Sequence, residues 1–469
     1  MTGTERRFWA RRPAWLAPLF VGFVAALGIR IAEHVFATMN ASWLPDGFRI
    51  HEMTSNNNFQ NLDVSELNSF GFKALWYDHI YPPLMDAVRF LLMQPESLSG
   101  EPSGAAVDLR LYWVFAVLYG VVAAIVYLWI RDLTRSGWWA LAGSALWCFL
   151  PSSLVTMTLL EPTPAAIPAM AGMFYLLYRF LKTRNLWYAT GFFAVLLVAS
   201  LVRNVVQIHV LVILVVALIS FWMIAKKRTS GAQILNCILV ALIFFWPLRA
   251  FVMYDTFDVS THTGYHRAGA LWIDPRTVPD LDYPEDVIAN ALVFSSRFNT
   301  QDSVMDNLRL SAAANQMMVH EPVESAKKLV DSLRITIPNA LHPVTSTTRN
   351  AMVDVAPWKA PFDVIFSGWR YLLLILGSVI VIVWSRGRVG SIQLLRRYGW
   401  FAVFWLLALI PVAFSNRYWP PGNEDAGPIH TEATRLKGLI DIPVFVIVVY
   451  AAWLLAARFL TRGARTRIE

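Results

Sequence analysis

Carboxylates that follow the first long apolar run have the type and position for acid–base chemistry at a membrane surface. Asp46 and Glu52 both lie in the polar stretch after this run. A carboxylate beside a reacting carbon can act as a general base and take the proton from an attacking hydroxyl group. Asp46 is our first candidate for such a base and Glu52 the second. The alternative for each is an ordinary solvated loop charge.

The second group is a proline-rich motif with the sequence DHIYPPLMD at residues 78–86. Its two prolines keep the preceding residues out of a helix, and proline is tolerated in the first turn of the helix that follows. The motif therefore places His79 and Tyr81 at a helix start, where backbone N–H groups favour anions. The alternative is a plain junction between a turn and a helix.

Basic residues form the remaining two groups. Arg203 stands between two apolar runs, where an arginine is costly unless it is paired or reaches the interface. A phosphate on a lipid carrier is a suitable partner, and snorkelling to lipid headgroups is the alternative. Arg435 and Lys437 precede the last apolar run, on a face where the positive-inside rule disfavours cations, which favours phosphate binding over a general surface role. We expect Arg249, which follows Pro247, to be structural.

The composition indicates that lipid surrounds most of the chain. Of 469 residues, 56% are hydrophobic and 15% are charged, against about 25% charged in soluble domains. The net charge of +8 comes from Lys and Arg in short loops between apolar runs, which is typical of cytoplasmic loops and excludes nucleic acid as a partner. Cys148 and Cys237 lie inside apolar runs and are predicted to be neither a disulfide nor a metal pair.

About ten apolar runs are long enough to cross the ~30 Å hydrocarbon core of a bilayer. They lie near residues 14–36, 110–130, 138–160, 163–181, 186–203, 205–225, 232–254, 367–385, 398–415 and 436–459. When the sides alternate, every loop predicted to be cytoplasmic is basic, and the loops predicted to be outside are neutral or acidic. Both termini are then cytoplasmic, and the first run is an uncleaved helix because it is too long for a signal peptide. The inner (plasma) membrane is the predicted location.

The sequence therefore predicts an all-α polytopic membrane protein in three parts. Residues 1–254 form a transmembrane module whose first outer loop, 38–109, contains amphipathic helices. Residues 255–366 form a small helical outer domain, in which Pro322 restarts a helix. Residues 367–469 supply the last transmembrane helices. No internal repeat supports the inverted-repeat architecture of many transporters.

Several signature motifs are absent from the sequence. It has no GxxxxGK[ST] of an ATP-driven pump, no HExxH or CxxC of a tightly bound metal, and no GxSxG of a serine hydrolase. The sequence therefore identifies no cofactor. Carboxylates and histidines of the first loop can still bind a divalent cation loosely.

The order of these motifs resembles the GT-C superfamily of integral membrane glycosyltransferases. The order is a first span, an acidic outer loop, the PPL motif, a proline-rich junction at 161–168, the turn LVRNVVQ at 201–207, a late outer domain, and a basic segment at 435–443. Within this superfamily, the order of motifs most resembles the branch that contains protein O-mannosyltransferases and lipid A aminoarabinose transferases. The chain departs from that pattern in two places. Tyr81 stands where some members have a lysine, and the paired Asp-Glu of some first loops is missing.

The resemblance implies an enzyme of the bacterial cell envelope. Such enzymes move a hexose or pentose from a polyprenyl-phosphate carrier to a glycan, lipid or protein acceptor on the outer face, usually with inversion. By this resemblance Asp46, or else Glu52, is the general base, and Arg203 and Arg435, with Lys437 in reserve, neutralise the carrier phosphate. His79 or Tyr81 can donate to the same anion.

Three rival functions remain open from the sequence. A transporter or flippase of a lipid-linked saccharide would carry charges or broken helices near the bilayer midplane, in matching halves. A polymerase or ligase of surface polysaccharide would use a diphosphate-linked donor with a late, basic outer loop. A non-catalytic scaffold is the third. The sequence does not identify the sugar or the acceptor.

Overall fold

The computed structural model describes residues 14–38, 61–97, 103–150, 153–154, 160–203, 230–258, 260–296, 299–340, 368–414 and 441–465. Within these ranges the chain is helical or forms connecting loops, and it contains no β-strand. Fifteen α-helices are described, and we number them in chain order. They are α1 (Leu16–Thr38), α2 (Val64–Phe70), α3 (Phe72–Tyr77), α4 (Leu84–Ser97), α5 (Gly104–Thr134), α6 (Gly137–Cys148), α7 (Pro162–Thr183), α8 (Leu186–Val202), α9 (Ser230–Tyr254), α10 (Thr263–Ala270), α11 (Glu285–Val293), α12 (Gln301–His320), α13 (Pro322–Ala340), α14 (Gly368–Phe414) and α15 (Asp441–Arg465).

Five of the described helices contain a segment long and apolar enough to cross a bilayer. They are α5, α7, α9, the first part of α14, and α15. Two shorter apolar stretches, in α1 and α8, add to them. The chain is therefore a helical membrane protein. The predicted span at 205–225 lies outside the described residues.

The predicted span at 138–160 is wrong as one continuous helix. The helix α6 ends at Cys148, and Phe149 and Leu150 leave the helical conformation. The physical reason lies in the sequence, because Pro151 disfavours a helical conformation in the residue before it.

The helix α14 contains a break that turns one long element into two. Gly387 has a φ of 67° and a ψ of 175°, which are not helical values and which glycine adopts without a steric penalty. The predicted spans at 367–385 and 398–415 overlap the helical segments on either side of this break, and the first of these segments is long and apolar enough to cross a bilayer. The break lies among the basic residues of the connecting segment at 386–397.

The core of the bundle is built around α5, which packs against α1, α6, α7 and α15. Its approach to α1 is close because Gly120 has no side chain. A Cβ atom at this position would lie 2.5 Å from the carbonyl oxygen of Leu19. Small residues at helix contacts allow such close packing in membranes, where lipid offers no hydrophobic force between helices.

The helices α7 and α8 form a tight hairpin, which defines the two ends of the bundle. Only Arg184 and Asn185 separate them. Glu161, before α7, and Arg203, after α8, are therefore at one end, which we call the Glu161 end. Arg179 lies at the opposite end, where it pairs with Asp132 at 2.8 Å, and we call this the Arg179 end.

The segment between α1 and α5 supplies three short helices, α2 to α4, at the Glu161 end. The helix α2 begins with a capping box, in which Asp63 and Glu66 each accept a hydrogen bond from the other end of the turn. Helices α10 to α13 follow α9. The helix α12 ends at His320, and α13 begins at Pro322, because proline cannot continue a helix but fits its first turn.

Candidate functional site

The proline-rich motif forms a turn between α3 and α4 that is buried at the Glu161 end. Asp78 terminates α3, and its Oδ1 atom accepts the backbone N–H of Ile80 at 3.0 Å. The prolines follow, and the first helical bond of α4 runs from Ala87 N–H to the Pro83 carbonyl at 2.8 Å. We call residues 78–81 the motif turn. Its conformation follows from an aspartate that binds its own backbone and from two prolines that exclude helix.

A later part of the chain covers the motif turn. The backbone N–H of Thr261 donates to the carbonyl oxygen of His79 at 2.8 Å, and the hydroxyl of Thr261 lies 3.1 Å from His79 Nδ1. The Ser260 hydroxyl donates to the Ile80 carbonyl. On the other side, Asn299 Oδ1 accepts the N–H groups of His79 and Ile80 at 3.0 and 3.3 Å. The segment at 260–263 and the start of α12 are thus fastened to the motif turn.

Burial shifts the two titratable groups of the motif turn strongly. His79 is 3% exposed, and burial, followed by the positive charge of Arg249, lowers the pKa of its imidazole to about 3. Burial, followed by the negative charge of Asp86, raises the pKa of Asp78 to about 7. The backbone amides of Ile80 and Tyr81 and the charge of Arg249 oppose this rise. Strongly perturbed groups of this kind mark candidate functional sites, although structural networks produce them too.

Arg249 lies near the Glu161 end of α9, enclosed by aromatic rings. It donates to the backbone carbonyl of Trp76, and its guanidinium carbon lies 4.4 Å from the ring centroid of Trp246 and 5.3 Å from that of Tyr254. The Tyr254 hydroxyl donates to the Tyr77 carbonyl at 2.9 Å. Within the described ranges, no carboxylate oxygen lies within 4.0 Å of the Arg249 guanidinium nitrogens. A hydrogen bond to a backbone carbonyl and cation–π contacts therefore hold this buried cation.

The first turn of α4 already contains an anion of the chain itself. Asp86 accepts the backbone N–H of Leu62 at 3.1 Å and pairs with Arg89 at 2.6 Å. Burial raises the pKa of Asp86, and Arg89 opposes the rise. A second anion at this helix start would meet the Asp86 carboxylate, so the anion site predicted from the N–H groups of α4 is opposed by local charge.

Buried polar residues also lie at the adjoining ends of α7 and α8. The Thr163 hydroxyl donates to the Glu161 carboxylate at 2.6 Å, and Asn61 donates to the Leu160 carbonyl at 3.1 Å. Arg203, which caps α8, is buried, and its backbone N–H donates to Ala199 O at 3.1 Å. The helix α8 packs against both α4 and α9. Arg203 and the motif turn therefore occupy the same end of the bundle.

The structure describes three of the seven site residues predicted from the sequence. His79 and Tyr81 share the motif turn, and Arg203 lies at the same end. The ring of Tyr81 lies 5.6 Å from that of His262. His79 holds the covering segment through Thr261. The other four, Asp46, Glu52, Arg435 and Lys437, lie outside the described residues.

Sequence reasoning gave no functional role to three residues that organise this end: Asp78, Arg249 and Asn299. An arginine five positions from the end of an apolar run was a usable signal for Arg249. Among the described residues, no three His, Cys, Asp or Glu side chains cluster to hold a metal ion. No family model matches the chain, and no curated protein or solved structure is significantly similar to it. Function is therefore inferred from the residues and their geometry.

Proposed function

We propose that this protein is a glycosyltransferase of the GT-C type that moves a sugar from a polyprenyl-phosphate carrier to an acceptor on the extracytoplasmic face of the inner membrane. The observation that supports the proposal is the convergence at the Glu161 end. There the segment between α1 and α5, the residues after α9, and the ends of α7 and α8 meet. A site that serves a lipid-borne donor needs polar groups at one rim of an apolar bundle.

In this proposal each group has a defined task. Asp46 or Glu52 takes the proton from the acceptor hydroxyl as it attacks the sugar carbon. Arg203 and Arg435, with Lys437 in reserve, stabilise the negative charge that develops on the leaving phosphate. The bond between sugar and phosphate supplies the driving force, so no nucleotide is required. The transfer inverts the reacting carbon.

Buried polar residues at the rim favour an enzyme over a transporter. Among the described residues, Asp78, Glu161, Arg203 and Arg249 all lie near one end of the bundle. Transporters place such groups near the midplane of the bilayer.

One residue favours a transporter or flippase as the second candidate function. Asn236 lies in α9, nearer the Arg179 end, and is buried. Within the part of the chain that the structure describes, neither polar atom of its side-chain amide has a hydrogen-bond partner. An unpartnered amide inside a span is costly and is often part of a polar pathway. If lipid-linked saccharide crosses the bundle, Asn236→Ala should impair its movement across vesicle membranes while leaving transfer unchanged.

Binding of a prenyl-phosphate analogue to the purified protein tests the proposal. We expect Arg203→Ala to weaken this binding at least ten-fold, since a charge-assisted contact to phosphate is lost. Arg276→Ala removes an exposed arginine paired with Asp274 and serves as the matched control. Equal affinity in the wild type and Arg203→Ala would remove Arg203 from the phosphate site.

A further inference from the structure

The motif turn and α9 each bring one buried ionisable side chain, Asp78 and Arg249, to the joint between them, and these two side chains form no ion pair with each other. Asp78 is 2% exposed and Arg249 is 5% exposed. Arg249 donates to the Trp76 carbonyl, two residues before Asp78, so both ionisable side chains belong to one buried joint, and the charge of Arg249 acts on Asp78. At this burial their fields act through protein rather than water, where electrostatic interactions are stronger.

We propose that Asp78 and Arg249 form a proton-dependent latch, which holds the motif turn against α9 and the 260–263 segment when Asp78 is protonated and loosens it when Asp78 is ionised. We call the turn docked when its four backbone hydrogen bonds to the neighbouring segments are formed. The N–H groups of His79 and Ile80 donate to Asn299, and the carbonyl oxygens of the same two residues accept from Thr261 and Ser260. The positive charge of Arg249 reduces the cost of ionising the buried Asp78 carboxyl group. Any effect of the latch on the binding of a polyprenyl-phosphate donor rests on the proposed function.

The direction of the effect follows from linkage. The ordinary pKa of Asp78 is 3.8, and in the docked turn burial raises it to about 7. Between these values the docked state takes up a proton that the undocked, hydrated turn has released. Docking therefore weakens as the pH rises from about 4 to about 7, and above pH 7 the full cost of the buried charge is present.

The other groups that act on Asp78 have identifiable effects. Asp86, in α4, is the negative charge that adds to the rise, and it is itself paired with Arg89. His79 acts in the opposite direction. Burial lowers the pKa of His79 from 6.5 to about 3, so the docked turn disfavours the protonated imidazole. Through His79 alone, docking therefore weakens as the pH falls below 6.5. A comparison of two proteins that both contain His79 removes its contribution.

Hydrogen–deuterium exchange of residues 76–81 in the full-length protein, reconstituted in lipid nanodiscs, measures the latch. The variant Asp78→Asn keeps the oxygen that accepts the Ile80 N–H but cannot ionise. We expect the ratio of exchange rates, wild type over Asp78→Asn, to rise at least ten-fold from pH 5 to pH 8. Asp282→Asn, which changes an exposed carboxylate, should exchange like the wild type at both values. A ratio that is the same at pH 5 and pH 8 would overturn the proposal.

Arg249 is tested by repeating the comparison in altered backgrounds. Loss of its charge in Arg249→Gln should make the rise larger, because the ionised Asp78 loses its attraction. Arg249→Lys retains the charge and should preserve the wild-type rise, which keeps the test decisive if Arg249→Gln does not fold. An unchanged rise in Arg249→Gln, or a lost rise in Arg249→Lys, would exclude Arg249 from the latch. Because exchange needs no substrate, the latch can fail while the proposed transferase activity stands, and the reverse also holds.

Discussion

The backbone N–H of His79 donates a 3.0 Å hydrogen bond to the side-chain oxygen of Asn299, across 220 positions of sequence. The same oxygen accepts the N–H of Ile80. One amide side chain before α12 therefore fixes the turn that precedes α4. Two segments separated by several apolar helices depend on each other for their position.

Asn299→Ala should lower the free energy of unfolding by about 1–3 kcal/mol, because the buried N–H groups of His79 and Ile80 lose their acceptor. Thermal unfolding of the purified protein should show a lower midpoint, and exchange of the His79 and Ile80 amides should be faster. Asn315→Ala, on an exposed position of α12, is the control and should leave both quantities unchanged. Slow exchange of these amides in Asn299→Ala would contradict the role given to Asn299.

Local sequence signals could predict much of the helical framework but not the contact between the motif turn and Asn299. Long apolar runs predicted the helices α1, α5, α7, α8, α9, α14 and α15 because bilayer thickness fixes a length. Proline predicts the start of α13, whereas the predicted span at 138–160 runs through Pro151, before which the helix α6 ends. The bond between His79 and Asn299 could not be predicted, because no local pattern relates residues so distant in the chain.

The site could be predicted only in part for a related reason. Residue type and position singled out Arg203 and the motif at 78–86, and both lie at the Glu161 end. Burial was not visible in the sequence. It gives His79 and Asp78 their altered pKa values and turns Arg249 into a cation enclosed by aromatic rings.

Asp86→Asn should destabilise the protein by about 3–5 kcal/mol, because the buried ion pair between Asp86 and Arg89 is broken. Differential scanning calorimetry or thermal unfolding in detergent measures the effect. The double variant Asp86→Leu/Arg89→Met removes both charges and should recover much of the lost stability. If the double variant is no more stable than Asp86→Asn, loss of packing rather than loss of the ion pair would explain the effect.

Single cysteines should report opposite sides of the membrane for the two ends of the bundle. In a background in which Cys148 and Cys237 are replaced, we expect a membrane-impermeant maleimide to label Asp282→Cys on intact cells. Lys182→Cys, at the Arg179 end, should react only after the membrane is opened. Both positions are exposed, so access depends on sidedness alone. Labelling of Lys182→Cys on intact cells would invert the proposed topology.

The carboxylate assigned as the base should be separable from donor binding. Asp46→Asn should bind a prenyl-phosphate analogue with nearly wild-type affinity and lose transfer, since an amide cannot accept the acceptor proton at neutral pH. The experiment compares the affinity and the turnover of the same preparation. Full turnover in both Asp46→Asn and Glu52→Gln would eliminate the proposed bases.

The central claim is tested most directly by incubating the purified, reconstituted wild-type protein with a panel of prenyl-phosphate sugars and candidate acceptors, and by measuring the prenyl phosphate that is released. The proposal predicts acceptor-dependent release from at least one donor, and loss of that release in Asp46→Asn/Glu52→Gln. If a donor that binds is carried across the membrane with its sugar still attached, and no prenyl phosphate is released from any member of the panel, the protein is not a glycosyltransferase.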